Sequence, residues 1–272
     1  MPETPAPRKT IDLSSARVLL TNDDGIDAAG IRTAIDILRP LCRSLTVIAP
    51  DRWRSGMGRA VTIRRELQVT EREHEGEYAC TGTPADCVIV GLQMVMADAP
   101  PDIVVSGINN GANMGDDITA SGTAGAAIEA CLQHVPSIAM SMESDFQHDP
   151  DWDTARAVLP DVLDRLCAFG FSRDVFYNVN LPNLPYDRTG KVAVAPHGRM
   201  DEASSFLAQP MDLDDRTAGP LRFMIHHRGG VGIRQGDHDY QRLAAGHVTI
   251  TPVSVMMTDD AAMPDLQDHF NR

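Results

Sequence analysis

The sequence predicts an α/β protein with a doubly wound, mostly parallel sheet covered by helices on both faces. Short apolar runs typical of strands buried on both faces lie at residues 17–21, 45–49, 102–106, 137–141 and 177–181. Segments of helical periodicity separate most of these runs. The first run, the helix after it and the second run together have the length of a right-handed βαβ unit, about 35 residues.

The helical segments follow the strands in order along the chain. Their predicted bounds are 28–41, 84–97, 121–134 and 155–169, and the second has Pro84 in its first turn, a favoured position for proline. Residues 107–120 are rich in glycine and asparagine and are predicted to be loop. After about residue 185 short strands and turns take over, with strands expected at 191–195, 221–225 and 248–253. We therefore expect a core over residues 1–185 and a β-rich extension over 186–272 that completes it.

Composition restricts the partners. The 272 residues include 24 Lys and Arg against 38 Asp and Glu, a net charge of −14, which argues against a nucleic-acid polymer or an anionic membrane as partner. The five cysteines are scattered without a C-x-x-C pair, and no apolar segment has the length of a signal peptide core or a membrane span. We expect a cytoplasmic protein. An anionic small substrate would need local attraction from a metal ion or a helix N-terminus.

Three polar loops follow predicted strands, and in a parallel sheet they would open on one edge. Asp23 and Asp24 follow the first strand, Ser55 lies after the second, and the third loop carries Asn109, Asn110 and Asn113. Carboxylate, hydroxyl and amide oxygens suit Mg²⁺ or Mn²⁺ better than zinc. A divalent cation would also relieve the repulsion between the paired aspartates.

The third loop ends in Ser121-Gly122-Thr123, which begins an alanine-rich helix. Free backbone N–H groups and the positive end of the helix dipole favour a phosphate at such a position. A metal on one side and a helix N-terminus on the other outline a phosphoryl-transfer site. The alternative is that the paired aspartates form a turn or helix cap and the Asn/Gly-rich stretch is a set of turns. The coincidence of three polar loops at one edge favours the functional interpretation.

Several blocks of the chain resemble the survival protein E (SurE) family of metal-dependent 5'-nucleotidases. They occur in the family's order over nearly the whole chain, and they include LLTNDDGIDAAGI, APDRWRSGMGRAVTI, CTGTPADCV, VVSGINNGANMGDDITASGTAGAAIEA and FYNVNLP. The resemblance implies a Rossmann-like three-layer α/β/α fold with a C-terminal β-hairpin arm that exchanges between subunits of a homodimer or homotetramer. It also implies hydrolysis of nucleoside 5'-monophosphates with one divalent ion, Mn²⁺, Mg²⁺ or Co²⁺, and 3'-nucleotides and short polyphosphates are possible further substrates.

By motif match, individual residues acquire expected roles. The metal ligands are Asp23, Asp24, Ser55 and Asn109, and the two aspartates are also the candidate catalytic residues. The phosphate-contacting positions are Asn113, Ser121, Gly122 and Thr123. The chain departs from the family pattern at Ala120 and Ala124, where relatives usually have Tyr and Val.

We hypothesise that the metal polarises a phosphate oxygen and lowers the pKa of a water that attacks phosphorus in line with the leaving 5'-oxygen. One carboxylate could instead be the nucleophile or general base, and the sequence leaves both open. The alternative from another class is a nucleotide-binding module without turnover. Against it, the first strand is not followed by the G-x-G-x-x-G or Walker loop that such modules use.

Two further motifs are weaker. The stretch Cys167–Arg173 has the C-x-x-G-x-x-R spacing of cysteine-dependent phosphatases, but Cys167 lies in the last turn of a predicted helix, where a thiolate is disfavoured. The pair His226-His227 and the run Asp237-His238-Asp239 could hold a second metal. A solvated turn or a subunit contact is the preferred interpretation of the histidine pair and of the Asp-His-Asp run.

Overall fold

Eleven strands and six helices are found in the described residues of a computed structural model, which are 7–145, 147–199, 206–210, 222–227 and 236–271. The strands are β1 Arg17–Thr21, β2 Ser44–Pro50, β3 Val69–Glu71, β4 Glu77–Cys80, β5 Ile103–Asn110, β6 Ser137–Met142, β7 Val175–Leu181, β8 Val192–Val194, β9 Phe206–Pro210, β10 Phe223–His227 and β11 Val248–Ser254. The helices are α1 Ala29–Leu38, α2 Pro84–Val90, α3 Gly122–Leu132, α4 Trp152–Phe169, α5 Asp239–Ala244 and α6 Met263–Phe270.

Nine strands form one sheet in the order β3-β4-β2-β1-β5-β6-β7-β11-β8. The strands from β4 to β7 in this order are mutually parallel. β3 runs antiparallel to β4, and β11 runs antiparallel to β7 and parallel to β8. The chain therefore builds the sheet outward from β1 in one direction and then, from β5, in the other. The gap between the carboxyl ends of β1 and β5 is the topological switch point, where α/β sheets bind ligands.

Helices cover both faces of the sheet because its central strands are apolar on both faces. Val18 and Leu20 pack with residues of α1 and α4 in one core cluster. Leu19, between them in β1, packs with residues of α2 and α3 in another. Alternate residues of one strand thus serve two helical layers. The predicted three-layer α/β/α fold is confirmed.

The C-terminal third adds a hairpin and completes the sheet. β9 and β10 pair antiparallel as a separate two-stranded sheet, which is the predicted β-hairpin extension. α5 and α6 were not predicted; they lie in a region expected to hold only short strands and turns. Within the described parts of the chain, every helix is too short or too polar to cross a lipid bilayer.

Three local predictions were wrong. Residues 107–110 are not loop: β5 continues to Asn110 because β6 supplies partners beyond a register shift, and a 3-10 helix occupies Gly115–Thr119. The second helix was predicted to Ala97 but α2 ends at Val90, followed by a π-helical turn at Gly91–Val95. The short strands β3, β4 and β9 were not predicted.

Candidate functional site

Five of the predicted site residues, Asp23, Asp24, Asn109, Gly122 and Thr123, lie at the switch point of the sheet. Asp23 and Asp24 follow β1 after one intervening residue, Asn22, and Asn109 and Asn110 are the last two residues of β5, which pairs with β1. The N-terminus of α3 reaches the same corner through contacts to Asp23. Segments up to 100 residues apart in the chain therefore meet at this corner.

The start of α3 holds the Asp23 carboxylate. Asp23 is 2% exposed, and the Thr123 hydroxyl donates a hydrogen bond of 2.6 Å to its Oδ1. A Cβ at Gly122 would lie 2.7 Å from the Cβ of Asp23, so only glycine permits this approach. The helix N-terminus that the sequence motifs assign to phosphate thus also positions a carboxylate. The positive end of the helix dipole favours this negative charge.

Both aspartates carry charge at an electrostatic cost. Burial raises the pKa of Asp23, and hydrogen bonds from the Thr123 hydroxyl and from the backbone of Thr123 and Gly122 act in the opposite direction. Burial raises the pKa of Asp24 to about 6, and the charge of Asp23 adds to that rise. The backbone N–H of Asn110 donates to Asp24 Oδ2 at 3.0 Å and partly offsets it. A bound cation would remove both costs by favouring the charged forms.

The second loop is tied to the first loop and to α3. The Arg54 N–H donates to the carbonyl of Asp23 at 2.7 Å, and the Gly58 N–H donates to the carbonyl of Ala120 at 2.9 Å. Ser55 follows Arg54 within this bridge and is exposed. The sequence prediction that the second loop opens beside the paired aspartates therefore agrees with these backbone contacts.

The end of β5 presents amide oxygens. The Asn109 side chain donates its Nδ2 to the Gly111 carbonyl at 2.7 Å, an arrangement that fixes the amide and leaves Oδ1 as an acceptor. Asn110 Oδ1 is buried and has no hydrogen-bond partner in the described part of the chain. Such an orphaned buried oxygen is what a metal or a bound donor would satisfy. Sequence reasoning noted Asn110 as a neutral oxygen but gave it no role.

Asn113 is embedded in a polar network. Its Nδ2 donates to Ser141 Oγ at 2.8 Å, its N–H donates to Asn180 Oδ1 at 2.8 Å, and its carbonyl accepts from Asn178 at 2.8 Å and Asn180 at 3.0 Å. Asn178 and Asn180 are fully buried on β7. Two polar residues at alternate positions of an otherwise apolar strand were the signal by which sequence reasoning could have found this network.

A second anchor of the third loop was missed entirely. Asp239, at the start of α5, is fully buried; its Oδ2 accepts from the Gly115 N–H at 2.9 Å and its Oδ1 from the Gly198 N–H at 2.7 Å. Of the two interpretations of Asp237-His238-Asp239, the solvated turn is therefore wrong at Asp239, although Asp237 is exposed in an ion pair with Arg242, and the subunit contact stays a prediction. Nothing in the linear pattern distinguished the two aspartates, because burial depends on the distant loop.

The chemistry of the corner fits a hard cation. Its donors are carboxylate, amide and hydroxyl oxygens, and no cluster of three His, Cys, Asp or Glu side chains suited to a metal occurs among the residues that the structure describes. Oxygen donors with few charges match Mg²⁺ or Mn²⁺ rather than zinc. The cysteine-phosphatase alternative has no support, because Cys167 is buried in α4 and burial raises its thiol pKa to about 12.

An α/β fold with an oxygen-donor corner and a helix N-terminus at its switch point defines a class of phosphate-handling proteins. A sequence profile of the survival protein SurE family matches residues 18–204. The 5'-nucleotidase SurE of Paramagnetospirillum magneticum is 44% identical over 259 residues, covering 95% of this chain and 97% of that protein. The 5'-nucleotidase SurE of Geobacter sulfurreducens is 38% identical, covering 92% of each chain.

A solved structure is also similar. The crystal structure of the SurE protein from Aquifex aeolicus superimposes with a TM-score of 0.80 at 30% identity, covering 93% of this chain and 99% of that one. The chain belongs to the survival protein SurE family, as its motifs indicated.

Proposed function

We propose that this protein is a metal-dependent 5'-nucleotidase, a hydrolase that converts nucleoside 5'-monophosphates to nucleoside and phosphate. The observation that carries the proposal is the pair of carboxylates, buried Asp23 and half-buried Asp24, held at the switch point beside the start of α3. The names of the curated relatives support it, because both are 5'-nucleotidases. 3'-Nucleotides and short polyphosphates are further candidate substrates.

Asp23, Asp24, Ser55 and Asn109 are the proposed ligands of one divalent ion, Mn²⁺, Mg²⁺ or Co²⁺. The Thr123 hydroxyl orients Asp23, the Asn110 N–H orients Asp24, and the Gly111 carbonyl orients the Asn109 amide. Partners of this kind fix ligand orientation and tune affinity. When bound, the ion would polarise a phosphate oxygen and lower the pKa of an attacking water.

Asn113, Ser121, Gly122 and Thr123 are the proposed phosphate contacts. Ser121 is the N-cap of α3, and its Oγ accepts from the Ala124 N–H at 3.0 Å. Its hydroxyl hydrogen remains available to a phosphate oxygen, since the N-cap bond uses only the oxygen. Asn113 has one of its two amide hydrogens committed to Ser141. The remaining donors and the helix dipole favour a dianionic group at this position.

The decisive experiment measures phosphate release from AMP in Mn²⁺, Mg²⁺ or Co²⁺ and after EDTA treatment. We expect turnover that requires metal and a loss of at least about 100-fold in kcat/KM for Asp23→Asn, because the amide removes a charged ligand. Asp237→Asn, at an exposed aspartate paired with Arg242, is the control and should retain activity. Activity of Asp23→Asn near that of wild type with added Mn²⁺ would overturn the assignment.

The alternative, a nucleotide-binding module without turnover, predicts a different result. Such a protein would bind AMP in a calorimetric titration yet release no phosphate with any of the three metals. The adjacent carboxylates of Asp23 and Asp24 argue against it, because bare negative charge where a phosphate must lie weakens binding unless a cation intervenes.

We also propose that the protein forms homodimers or homotetramers in the cytoplasm, with residues 186–272 forming the extension and exchanged C-terminal arm. Exposed apolar residues on β9 and β10, among them Phe223 and Ile225, support a subunit contact there. Light scattering after size exclusion should give the mass of a dimer or tetramer. Ile225→Asp should lower that mass, and a monomeric wild-type protein at micromolar concentration would refute the proposal.

A further inference from the structure

The irregular segment between β2 and β3, residues 51–68, carries exposed apolar side chains beside the candidate site. Trp53 is 69% exposed, and Met57 and Ile63 are also exposed. Tryptophan is usually well buried on average because it has a large apolar area. Exposed apolar side chains grouped beside a ligand site indicate a surface that contacts a ligand.

The backbone on both sides of Trp53 is fixed although its side chain is free. Arg54 donates its N–H to the carbonyl of Asp23 at 2.7 Å. On the other side, the Arg52 backbone packs so closely on Gly25 that a Cβ there would lie 3.2 Å from the Arg52 carbonyl carbon. Trp53 is therefore held at the first loop by its neighbours, while its indole faces solvent.

Trp53 lies close along the chain to the proposed metal site. Trp53 precedes Ser55, a proposed metal ligand, by two residues, and two residues span at most about 7 Å. A nucleotide whose phosphate lies at the metal corner could bring its base to a group at that separation. Ala120, whose carbonyl accepts from the Gly58 N–H of the same segment, supplies no aromatic ring for stacking.

The segment also has a local charge opposite to that of the whole protein. Residues 51–65 contain five arginines and one aspartate, whereas the chain has a net charge of −14. Arg59 pairs with Glu129 at 2.8 Å, and Arg52, which is 67% exposed and lies next to Trp53, pairs with Asp51 at 3.5 Å. Phosphate anions repelled by the rest of the molecule would be attracted here.

We propose that the indole of Trp53 is the stacking platform for the base of the nucleotide substrate, a role that rests on the proposed function. Every base has a π face, so stacking binds all bases and discriminates weakly among them. The protein should therefore accept several nucleoside monophosphates. It should prefer all of them to phosphate esters without a base.

The test compares AMP with ribose 5-phosphate, which has the same phosphate and sugar but no base. We expect Trp53→Ala to lower the ratio of kcat/KM for AMP to kcat/KM for ribose 5-phosphate about ten-fold, in the range of base–aromatic stacking. Trp53→Phe should keep most of the ratio, and Ile63→Ala, at another exposed apolar residue of the segment, should keep all of it. An unchanged ratio in Trp53→Ala, or an equal fall in Ile63→Ala, would overturn the proposal.

A binding measurement separates this proposal from the proposed function. Adenosine has no phosphate to lose, and it should quench the fluorescence of the wild-type protein saturably. Trp53→Phe should abolish the quenching, because the second tryptophan, Trp152, is half-buried and packed against the core. Quenching that persists in Trp53→Phe would refute stacking on Trp53. Failure to hydrolyse either ester would refute the nucleotidase function, while the adenosine titration would still decide on the stacking.

Discussion

At the scale of single residues, the carboxylate of Asp23 determines how the site is built. The sequence motifs indicate a phosphate contact for Thr123, whereas in the structure its hydroxyl donates to Asp23 at 2.6 Å. Gly122 contributes by having no side chain, since a Cβ there would contact Asp23. The start of α3 therefore has a positioning role for a proposed metal ligand in addition to its proposed contact with phosphate.

Replacing Thr123 by valine tests this positioning role. Valine keeps the shape of threonine but loses the hydroxyl that orients Asp23. We expect the Mn²⁺ concentration for half-maximal activity to rise about ten-fold, the effect typical of losing a partner of a metal ligand. Thr123→Ser, which keeps the hydroxyl, should stay near wild type. If Thr123 acts only on phosphate, the KM for AMP at saturating Mn²⁺ will rise and the metal requirement will not.

The pKa of Asp24 predicts a pH dependence of stability. Its folded-state pKa of about 6 lies above the ordinary value of 3.8, so this group stabilises the metal-free protein at low pH. That contribution is lost as the pH rises through about 6. EDTA-treated protein should therefore lose thermal stability between roughly pH 4 and pH 7 relative to Asp24→Asn.

The same pKa makes metal binding compete with protons. The increase in Tm caused by Mn²⁺ should grow as the pH rises through about 6, since Asp24 then loses its proton. Differential scanning fluorimetry at several pH values with a fixed Mn²⁺ concentration measures this. A metal-induced shift that is constant across the range, or equally large in Asp24→Asn, would contradict the assignment of Asp24.

At the scale of secondary-structure elements, two requirements conflict at the start of α3: helix propensity disfavours glycine at position 122, whereas the close approach of Asp23 requires it. Alanine at Gly122 should favour the helix by about 1 kcal/mol, since glycine is a poor helix former. The added Cβ would, however, lie 2.7 Å from Asp23 Cβ and 2.8 Å from its Oδ2. We expect Gly122→Ala to lower kcat/KM for AMP about 100-fold, because small displacements of Asp23, the proposed catalytic group, would have large effects. A variant as active as wild type would show that Asp23 is free to move.

The anchoring of the third loop by α5 gives a second prediction at this scale. Asp239→Asn keeps the size of the side chain but has only one acceptor oxygen, whereas the Gly115 and Gly198 N–H groups donate to different oxygens of Asp239, so one of these bonds is lost. We expect the free energy of unfolding in urea to fall by about 3 kcal/mol, as for loss of buried hydrogen bonds to a charge. Asp237→Asn, two residues earlier and exposed, should unfold like wild type. Equal stability of both variants would refute the anchoring role.

The strands of the parallel sheet that could be predicted are those with a continuous run of apolar residues. β1, β2, β5, β6 and β7 were found because burial on both faces leaves a pattern in each segment. β4 was missed because its edge of the sheet buries Glu77, whose carboxylate binds Arg32 at 2.8 Å and Arg39 at 3.0 Å. A charged residue inside a sheet depends on distant partners, which local patterns do not contain.

The candidate site also has features that the sequence predicts and features that it does not. The sequence motifs predicted which loops meet, because parallel strands end at one edge. They could not predict the roles within the corner, since the bond from Thr123 to Asp23 links residues 100 positions apart. They also could not separate buried Asp239 from exposed Asp237. Contacts between distant segments, rather than residue types, determine these roles.

At the scale of the whole molecule, a bound metal should stabilise the fold as well as support catalysis. Ligand at 100 times its Kd stabilises the native state by about 2.7 kcal/mol. Wild-type protein should therefore melt several degrees higher in saturating Mn²⁺ than in EDTA, as measured by scanning calorimetry. Asp23→Asn should lose most of this increase, and an equal increase in that variant would place the stabilising metal elsewhere.

The position of the switch point gives this stabilisation a further meaning. Asp24 meets Asn110 across 86 residues and Asp23 meets Thr123 across 100 residues of chain. A cation bound at that corner would join the two halves of the sheet as a removable cross-link. It would close loops of this length, and closing such long loops in an open chain has a large entropy cost. The supply of metal would then set how long the folded molecule survives, independently of how fast it works.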